Sequence, residues 1–279
     1  MFHKYIVAKD YHNARLDKWF KAKVLNIPQS LIEKIIRKKK IKVNKKKTRT
    51  SYRVQINDIV EVFNISEIKP RNLKINSFKY KPSNEEKKTY DSFIIENNDN
   101  FIVINKPSGI PVQGGTRSFK NIIDLLSGTK YFENKKPYIV HRLDKETSGV
   151  LIIAKNREYA QLLTSLFRIR KIHKNYLAIV HGEVPKNRKT LEDNLVLYEK
   201  NKKIIQKAIT HLKILKTSQK YSLLELKPIT GRKHQLRKQL LNLGNPVVGD
   251  NKYSIEKYNK FKKNQNLMLH ASKLKFMIN

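Results

Sequence analysis

Apolar positions along the chain change period several times, and each change marks an element. After Pro28, the residues Leu31, Ile32, Ile35 and Ile36 recur at three- and four-residue spacing, which predicts a helix from Pro28 to Lys39 with one apolar face. Ser30 and Glu33 stand three apart, the spacing of a capping box. An earlier amphipathic segment holds Leu16, Trp19 and Phe20. After the Pro28 helix come a short alternating segment at Ile41 and Val43, a turn at Asn44, and a β-like run through Ile56, Ile59, Val60 and Val62. The pattern predicts a compact unit of two helices and a few short strands over residues 12–65.

From about Pro70 to Tyr90 the chain turns polar and loses its periodicity, which reads as a linker. From Ser92 onward it is β-rich: Phe93–Ile95, Phe101–Ile104, Tyr138–Val140, Val150–Ile153, Tyr176–Val180 and Leu223–Leu226. Helical stretches intervene at Tyr159–Ile169 and His234–Leu243. No Gly-rich phosphate loop sits at a strand-to-helix junction and no repeat period appears, so nucleotide-cofactor folds and solenoids lose support. The expected fold class is α+β: a mixed, mainly antiparallel sheet with flanking helices, preceded by a small N-terminal α/β domain. The expected boundaries are 1–68 for the small domain, 69–90 for the linker and 91–279 for the large domain.

Charge adds a partner to this outline. The 279 residues carry 60 Lys+Arg against 23 Asp+Glu, a formal net charge of +37. Such a globule gains when phosphates replace its counterions, so a polyanion, nucleic acid first, is the expected partner. A nucleotide-biased genome would also inflate Lys, Asn and Ile, but it does not by itself explain so few acids. The basic residues are densest from Lys34 to Arg49, through Arg37, Lys38 and Lys42. There is no cysteine, which excludes disulfides and thiolate chemistry. Met1–Asp10 has no apolar stretch of signal-peptide length, and no segment approaches the roughly 20 apolar residues of a membrane span. A soluble cytoplasmic protein is expected. The histidines His141, His173, His181, His211, His234 and His270 are scattered without helical zinc spacing, so no metal site is expected.

The segment most informative about chemistry runs from Tyr138 to Lys155. It holds a charged loop, His141-Arg142-Leu143-Asp144-Lys145-Glu146-Thr147-Ser148-Gly149, between two apolar strands that would fix it. A carboxylate flanked by Arg142 and Lys145 would have its charged form favoured, as a nucleophile or base requires. The same residues would also serve as a strand-joining turn in which Asp144, Thr147 and Ser148 bond backbone groups and Gly149 supplies conformational freedom.

His141-Arg142-Leu143-Asp144 followed by Thr147-Ser148-Gly149-Val150-Leu151 resembles the central motif of the RluA-type pseudouridine synthases, and further motifs of that family follow in order. Asn105-Lys106-Pro107-Ser108-Gly109 resembles its first strand and turn. Val112-Gln113-Gly114-Gly115 is similar to its His-Gly-Gly loop, with glutamine at the usual histidine. Lys174-Asn175-Tyr176-Leu177-Ala178 resembles the segment bearing the family's tyrosine, and Thr230-Gly231-Arg232-Lys233-His234-Gln235-Leu236-Arg237 its late basic motif. Gly244-Asn245-Pro246-Val247-Val248-Gly249-Asp250 and Leu269-His270-Ala271 complete the series. The N-terminal stretch resembles the alpha-L, ribosomal-protein-S4-like RNA-binding domain through Arg15-Leu16-Asp17, the Pro28–Lys39 helix and Ile41-Lys42-Val43-Asn44. Pro28–Ile32 and the paired Gly114-Gly115 look most like the RluC subgroup, which modifies large-subunit ribosomal RNA.

The resemblance implies an RNA uridine isomerase that needs no cofactor and acts as a monomer, with no obligate protein partner and large-subunit ribosomal RNA as its partner. It implies that Asp144 is the essential carboxylate, that Tyr176 stacks on the target base, that Arg237 pairs with Asp144, and that Arg142 lies against the RNA. Arg15, Lys34, Arg37, Lys38, Lys42, Asn44, Arg232 and Lys233 are the expected remaining RNA contacts. Uridine must leave the base stack before its glycosidic bond can be reached. Sequence leaves open whether the carboxylate attacks the sugar, attacks the base or removes a sugar proton. It also leaves open a non-catalytic RNA-binding or assembly factor on the same fold, and a hydrolase that would need a second carboxylate, with Glu146 nearby. One departure from the family follows Arg237: Lys238-Gln239 stands where an apolar residue and a histidine are usual, so packing behind the site is expected to differ.

Overall fold

The computed structural model describes residues 2–64, 82–114, 120–127, 129–132, 136–199, 202–259 and 265–278. The chain divides into two compact units, Met1–Ser77 and Phe78–Asn279.

The first unit contains β1 (Phe2–Ile6), β2 (Ala14–Arg15), α1 (Leu16–Lys23), α2 (Gln29–Arg37), β3 (Ile41–Val43), β4 (Lys46–Lys47), β5 (Arg53–Val54) and β6 (Ile59–Phe63). One antiparallel sheet has the order β1-β6-β3-β4, and β2 pairs with β5. Leu16, Trp19 and Phe20 of α1 and Ile32, Ile35 and Ile36 of α2 are buried with Ile41, Val43, Val60 and Val62. Each such side chain contributes about 1.5–3 kcal/mol on burial. The helical spacing that places these residues inside leaves Lys34, Arg37 and Lys38 exposed.

One local expectation is corrected here, and two candidate RNA contacts are found bonded within the unit. Ser30 and Glu33 form no capping box, because the helix already begins at Gln29 after Pro28 and Ser30 lies within its first turn. Its Gln29 Nε2 instead donates to Asp17 Oδ2 at 2.8 Å. Asp17 also accepts from Arg15 Nε at 3.2 Å, Arg15 Nη2 at 2.7 Å and the Lys18 backbone N–H at 2.8 Å. Arg15, expected at RNA, therefore has its guanidinium fork engaged inside the unit. Asn44 adopts φ 48° in the turn; its Nδ2 donates to Asp58 Oδ1 at 2.7 Å and its Oδ1 accepts from the Ile59 N–H at 2.8 Å. Both ends of that amide hold the turn.

The second unit runs through α3 (Asn84–Asp91), β7 (Ile94–Asn97), β8 (Phe101–Lys106), α4 (Ile122–Ser127), β9 (Tyr138–Ile139), β10 (Ser148–Ala154), α5 (Arg157–Arg168), β11 (His173–His181), β12 (Thr190–Glu199), β13 (Lys202–Thr217), β14 (Tyr221–Pro228), α6 (Gln235–Asn242), α7 (Glu256–Asn259) and β15 (Leu269–Lys275). Of the expected linker, 70–81 lies outside the described residues, and its last part forms α3. That helix is started by a capping box in which Ser83 Oγ accepts from the Glu86 N–H and Glu86 accepts from the Ser83 N–H.

Among the described residues the strands form one sheet of order β12-β13-β14-β11-β15-β10-β8-β7, with β9 on β10. Its pairs are antiparallel except β10 with β15. The mixed, mainly antiparallel expectation holds. β10 reads as an unbroken apolar run because it is buried on both faces: Leu151 and Ile153 pack towards α4, Ile152 and Ala154 towards α5. On α6, Leu236 and Leu240 cover Ala178, Leu224 and Leu226. Gln239, at the departure from the family pattern, is buried; its Nε2 donates to Asp193 Oδ2 at 3.0 Å and its Oε1 accepts from Thr210 Oγ1 at 2.6 Å, tying α6 to β12 and β13.

Asp17 knits α1 to α2 and is almost fully buried. Burial pushes its carboxyl up, but the bonds from Arg15 and Gln29 outweigh that and leave it below its ordinary value. Its stabilisation is therefore present above the unfolded pKa, about 4, and fades as pH falls through the lower folded one. Asp17→Ala leaves those donors unpaired and should cost about 1–3 kcal/mol. The chain's single tryptophan, Trp19, sits in this core, so urea melts followed by its fluorescence report the loss directly. An unchanged midpoint at pH 7 would count against the assignment.

Candidate active site

The charged loop between β9 and β10 is pinned on every side. Leu143 is buried in the core beneath it. The Thr147 N–H donates to the Asp144 carbonyl at 3.1 Å, closing a tight turn. The Lys145 carbonyl accepts from the Gly109 N–H at 3.0 Å and from Lys106 Nζ at 3.0 Å, and the Glu146 carbonyl accepts from Ser108 Oγ at 2.7 Å. Lys106 is fully buried and also donates to the Pro107 and Ile110 carbonyls at 2.7 and 2.9 Å. Burial pushes its amine down to about 8, although Glu146 and Asp144 pull the other way. Gly149 has φ 110°, and a Cβ there would meet the Ala271 carbonyl oxygen at 2.2 Å, so only glycine lets β10 lie against β15. His141 lies behind the loop: its Nε2 accepts from the Ile152 N–H at 3.0 Å and its ring stacks on Phe167 at 4.5 Å. Burial, with Lys174 nearby, pushes it down to about 3, so it is neutral and structural.

Held in this way, Asp144 faces two groups from the start of α6. Its Oδ2 lies 3.8 Å from Arg237 Nη1 and its Oδ1 3.7 Å from His234 Nε2. Of the flanking residues, Lys145 pairs with Glu146 at 3.7 Å, and Arg142 is exposed on the cleft wall. The expected pairing of Arg237 with Asp144 is present only as the longer contact. Its two-pronged bond goes to Asp250, through Nε to Oδ2 and Nη2 to Oδ1, both 2.7 Å. Asp250 is buried and accepts in addition from the Lys252 and Tyr253 N–H groups at 2.9 and 2.8 Å. Burial pushes its carboxyl up, and these donors, Arg237 first, bring it below its ordinary value. The Tyr253 ring stands 5.0 Å from the Arg237 guanidinium, and its hydroxyl lies 2.8 Å from His234 Nδ1.

Asp144 opens on a cleft of about 980 Å³ that Tyr176, Arg142, Arg232 and Lys233 also line. Tyr176 sits at a bulge in β11, packed between two cores while presenting part of its surface to the cleft. Burial raises its phenol, with Asp144 adding to the effect, so it stays protonated. Sequence reading missed Arg168, Arg170, Lys174 and Lys227 on the same wall. Among the described residues, the cleft is lined by eight Lys and Arg side chains and by one carboxylate, Asp144. His234, Asp250 and Tyr253 were missed as site residues as well. The signal was available for the first: His234 and Arg237 are three apart at a helix start and so share a face.

In the first unit, Lys39 and Lys42 crowd Lys47, and Lys39 above all pushes that amine below its ordinary value, the mark of a concentrated positive surface. Lys42 Nζ also lies 5.0 Å over the Phe63 ring.

A cationic cleft with one pinned carboxylate, in a chain that also carries a basic α/β unit, points to an enzyme acting on a polyanion, and comparison with known proteins narrows the class. The RNA pseudouridylate synthase family model matches residues 100–242, and the S4 domain model matches residues 14–60. Ribosomal large subunit pseudouridine synthase C of Buchnera aphidicola subsp. Baizongia pistaciae (strain Bp) is 35% identical over 282 residues, covering 97% of this chain and 88% of that protein. The protein of that name from Rickettsia bellii (strain RML369-C) is 36% identical, covering 94% of this chain and 89% of its own. The solved structure of Human RNA Pseudouridylate Synthase Domain Containing 4 superposes with a TM-score of 0.55 at 30% identity, over 67% of this chain and 85% of that one. The chain belongs to the RNA pseudouridylate synthase family and carries an N-terminal S4 domain.

Removing one partner of the buried Arg237–Asp250 pair leaves an uncompensated charge, which costs about 3–5 kcal/mol. Asp250→Ala should therefore lower the calorimetric transition of the second unit by that equivalent while the Trp19 transition of the first stays put. A cost below about 1 kcal/mol would mean that the pair holds little.

Proposed function

We propose that this chain isomerises specific uridines to pseudouridine in large-subunit ribosomal RNA, with Asp144 as the essential carboxylate. The observation that carries the reading is that, among the described residues, Asp144 is the single carboxylate of a cleft whose other charged side chains are Lys and Arg. A glycosidic bond cut by hydrolysis usually needs two opposed carboxyl groups. Breaking a bond and rejoining the same sugar to another ring atom needs one, together with a wall that holds phosphates and keeps the freed base in place.

In that reaction the bond from uracil N1 to C1′ breaks, the base turns, C5 bonds to C1′, and the C5 proton leaves while N1 gains one. Atoms and electrons balance without an oxidant, a metal or a nucleotide. Asp144 serves either by attack or by taking a sugar proton. Tyr176 is the platform on which the flipped base stacks, recovering about 1–3 kcal/mol of the stacking lost. Arg142, Arg232 and Lys233 hold the strand beside it, and Lys34, Arg37, Lys38 and Lys42 of the S4 domain hold phosphates elsewhere on the same RNA. Arg15 and Asn44, each bonded within the unit and still open to solvent, stand at that surface with them. The domains we assign are 1–68 and 91–279, joined by 69–90, whose closing helix α3 packs with the second unit. The chain acts as a monomer, and with ribosomal RNA as its substrate it works in the cytoplasm. The ribosomal target is supported by the names of relatives that span nearly the whole chain.

Uridine labelled with tritium at C5 loses its label only when C5 forms the new bond. Unmodified large-subunit ribosomal RNA should release tritium with the wild-type chain, and small-subunit and transfer RNA should release much less. Release from transfer RNA alone would overturn the target assignment, and release from none of the three would overturn the isomerase reading.

A further inference from the structure

His234 is the one group at Asp144 to which the proposed chemistry assigns nothing. It occupies the N-cap position of α6 in the left-handed region, φ 54°, a conformation that non-glycine residues adopt sparingly. Its ring lies between Tyr253 and Asp144. Tyr253 Oη lies 2.8 Å from Nδ1, and Asp144 Oδ1 lies 3.7 Å from Nε2. We propose that His234, fixed by Tyr253 as a neutral imidazole with its proton on Nε2, is a positioning residue that donates to Asp144 and holds its carboxylate for reaction. The inference rests on Asp144 being the reacting carboxylate.

The direction of the chain of donors follows from its ends. Burial keeps the Tyr253 phenol above its ordinary value, with Asp144 and Asp250 adding to this against Arg237, so it is protonated and able to donate. Donating to Nδ1 leaves the imidazole proton on Nε2, the nitrogen that faces a carboxylate able only to accept. The groups around His234 are Asp144 from the β9–β10 loop, Lys233 and Arg237 near it in sequence, and Lys252 and Tyr253 from the segment after Asp250. Burial and the three cations outweigh Asp144 and hold the imidazole below its ordinary value. The 3.7 Å approach is longer than a hydrogen bond, as such contacts commonly are before substrate is bound.

The arrangement has a chemical consequence. Arg237 spends its charge on Asp250, and His234 is neutral, so neither of the two donors facing Asp144 brings it an unshared positive charge. Protonating His234 would undo this. It would place a cation beside Oδ1 and turn a second N–H against the Tyr253 hydroxyl.

Single-turnover tritium release, measured from pH 5 to 8 together with RNA affinity, separates a positioning role from a structural one. The wild-type rate should fall on the acid side as His234 takes up a proton, below its ordinary 6.5. His234→Ala should lose about tenfold in rate at neutral pH, the worth of one ordinary hydrogen bond, with RNA affinity unchanged. His234→Gln restores a neutral N–H donor that cannot titrate, so it should recover most of that loss and flatten the acid limb. Tyr253→Phe keeps the ring beside Arg237 but removes the hydroxyl that favours neutral imidazole, so its acid limb should move to higher pH. If His234→Gln and Tyr253→Phe both retain the wild-type limb, or His234→Ala reacts at the wild-type rate, the positioning role is wrong while the Asp144 reading stands. Absence of release from the wild type itself would sink both.

Discussion

The site depends on a buried pair of opposite charges, Arg237 and Asp250. Arg237 can be brought out of water only because Asp250 grips it on two nitrogens, and Asp250 can be buried only because Arg237 and two backbone N–H groups satisfy it. The third nitrogen of the fork is then aimed at Asp144 from a fixed direction. The same carboxylate captures the backbone of Tyr253, which sets that ring beside Arg237 and its hydroxyl at His234. One buried charge pair thus helps fix the positions of two further side chains, Tyr253 and His234. Removing it would affect both.

The fold supplies the opposite half of the site with equal rigidity. Asp144 stands on a loop whose carbonyls are held by Lys106, Gly109 and Ser108, and whose strand can approach β15 only through Gly149. The cationic wall is less constrained, and this suits its purpose: phosphates are held by charge over some distance, whereas a reacting carboxylate must be placed within a fraction of an ångström. The S4 domain repeats that division. Apolar spacing builds its core, Asp17 joins its helices, and the lysines left outside form the surface.

The parts that were legible in the sequence are those written in consecutive residues. The Pro28 helix, the six apolar strands from Phe93 to Leu226 and the helices after Tyr159 and His234 all announce themselves by period, and the loop around Asp144 by its motif. The β12–β13 hairpin did not, because small or polar residues such as Ala208 and Thr210 occupy inward positions and blur the alternation. The helix α3 was hidden by its polarity; its capping box was there to be read, whereas the one sought at Ser30 lay a residue inside its helix. Asp250 and Tyr253 were beyond reach for a different reason. Their importance lies in what they touch, and no spacing along the chain states that a fork from α6 closes on a carboxylate thirteen residues later. Arg237 is marked by its motif, and its two-pronged partner Asp250 stays hidden for the same reason.

The central claim is that Asp144 is the group that reacts. Its most direct test replaces one carboxylate oxygen by nitrogen, Asp144→Asn, which preserves shape and the contacts of the loop, and compares single-turnover rate with RNA affinity on the same large-subunit ribosomal RNA. The account predicts no measurable isomerisation with affinity within a few-fold of wild type. Substantial turnover by Asp144→Asn would contradict it, because no other carboxylate among the described residues lines the cleft to take over.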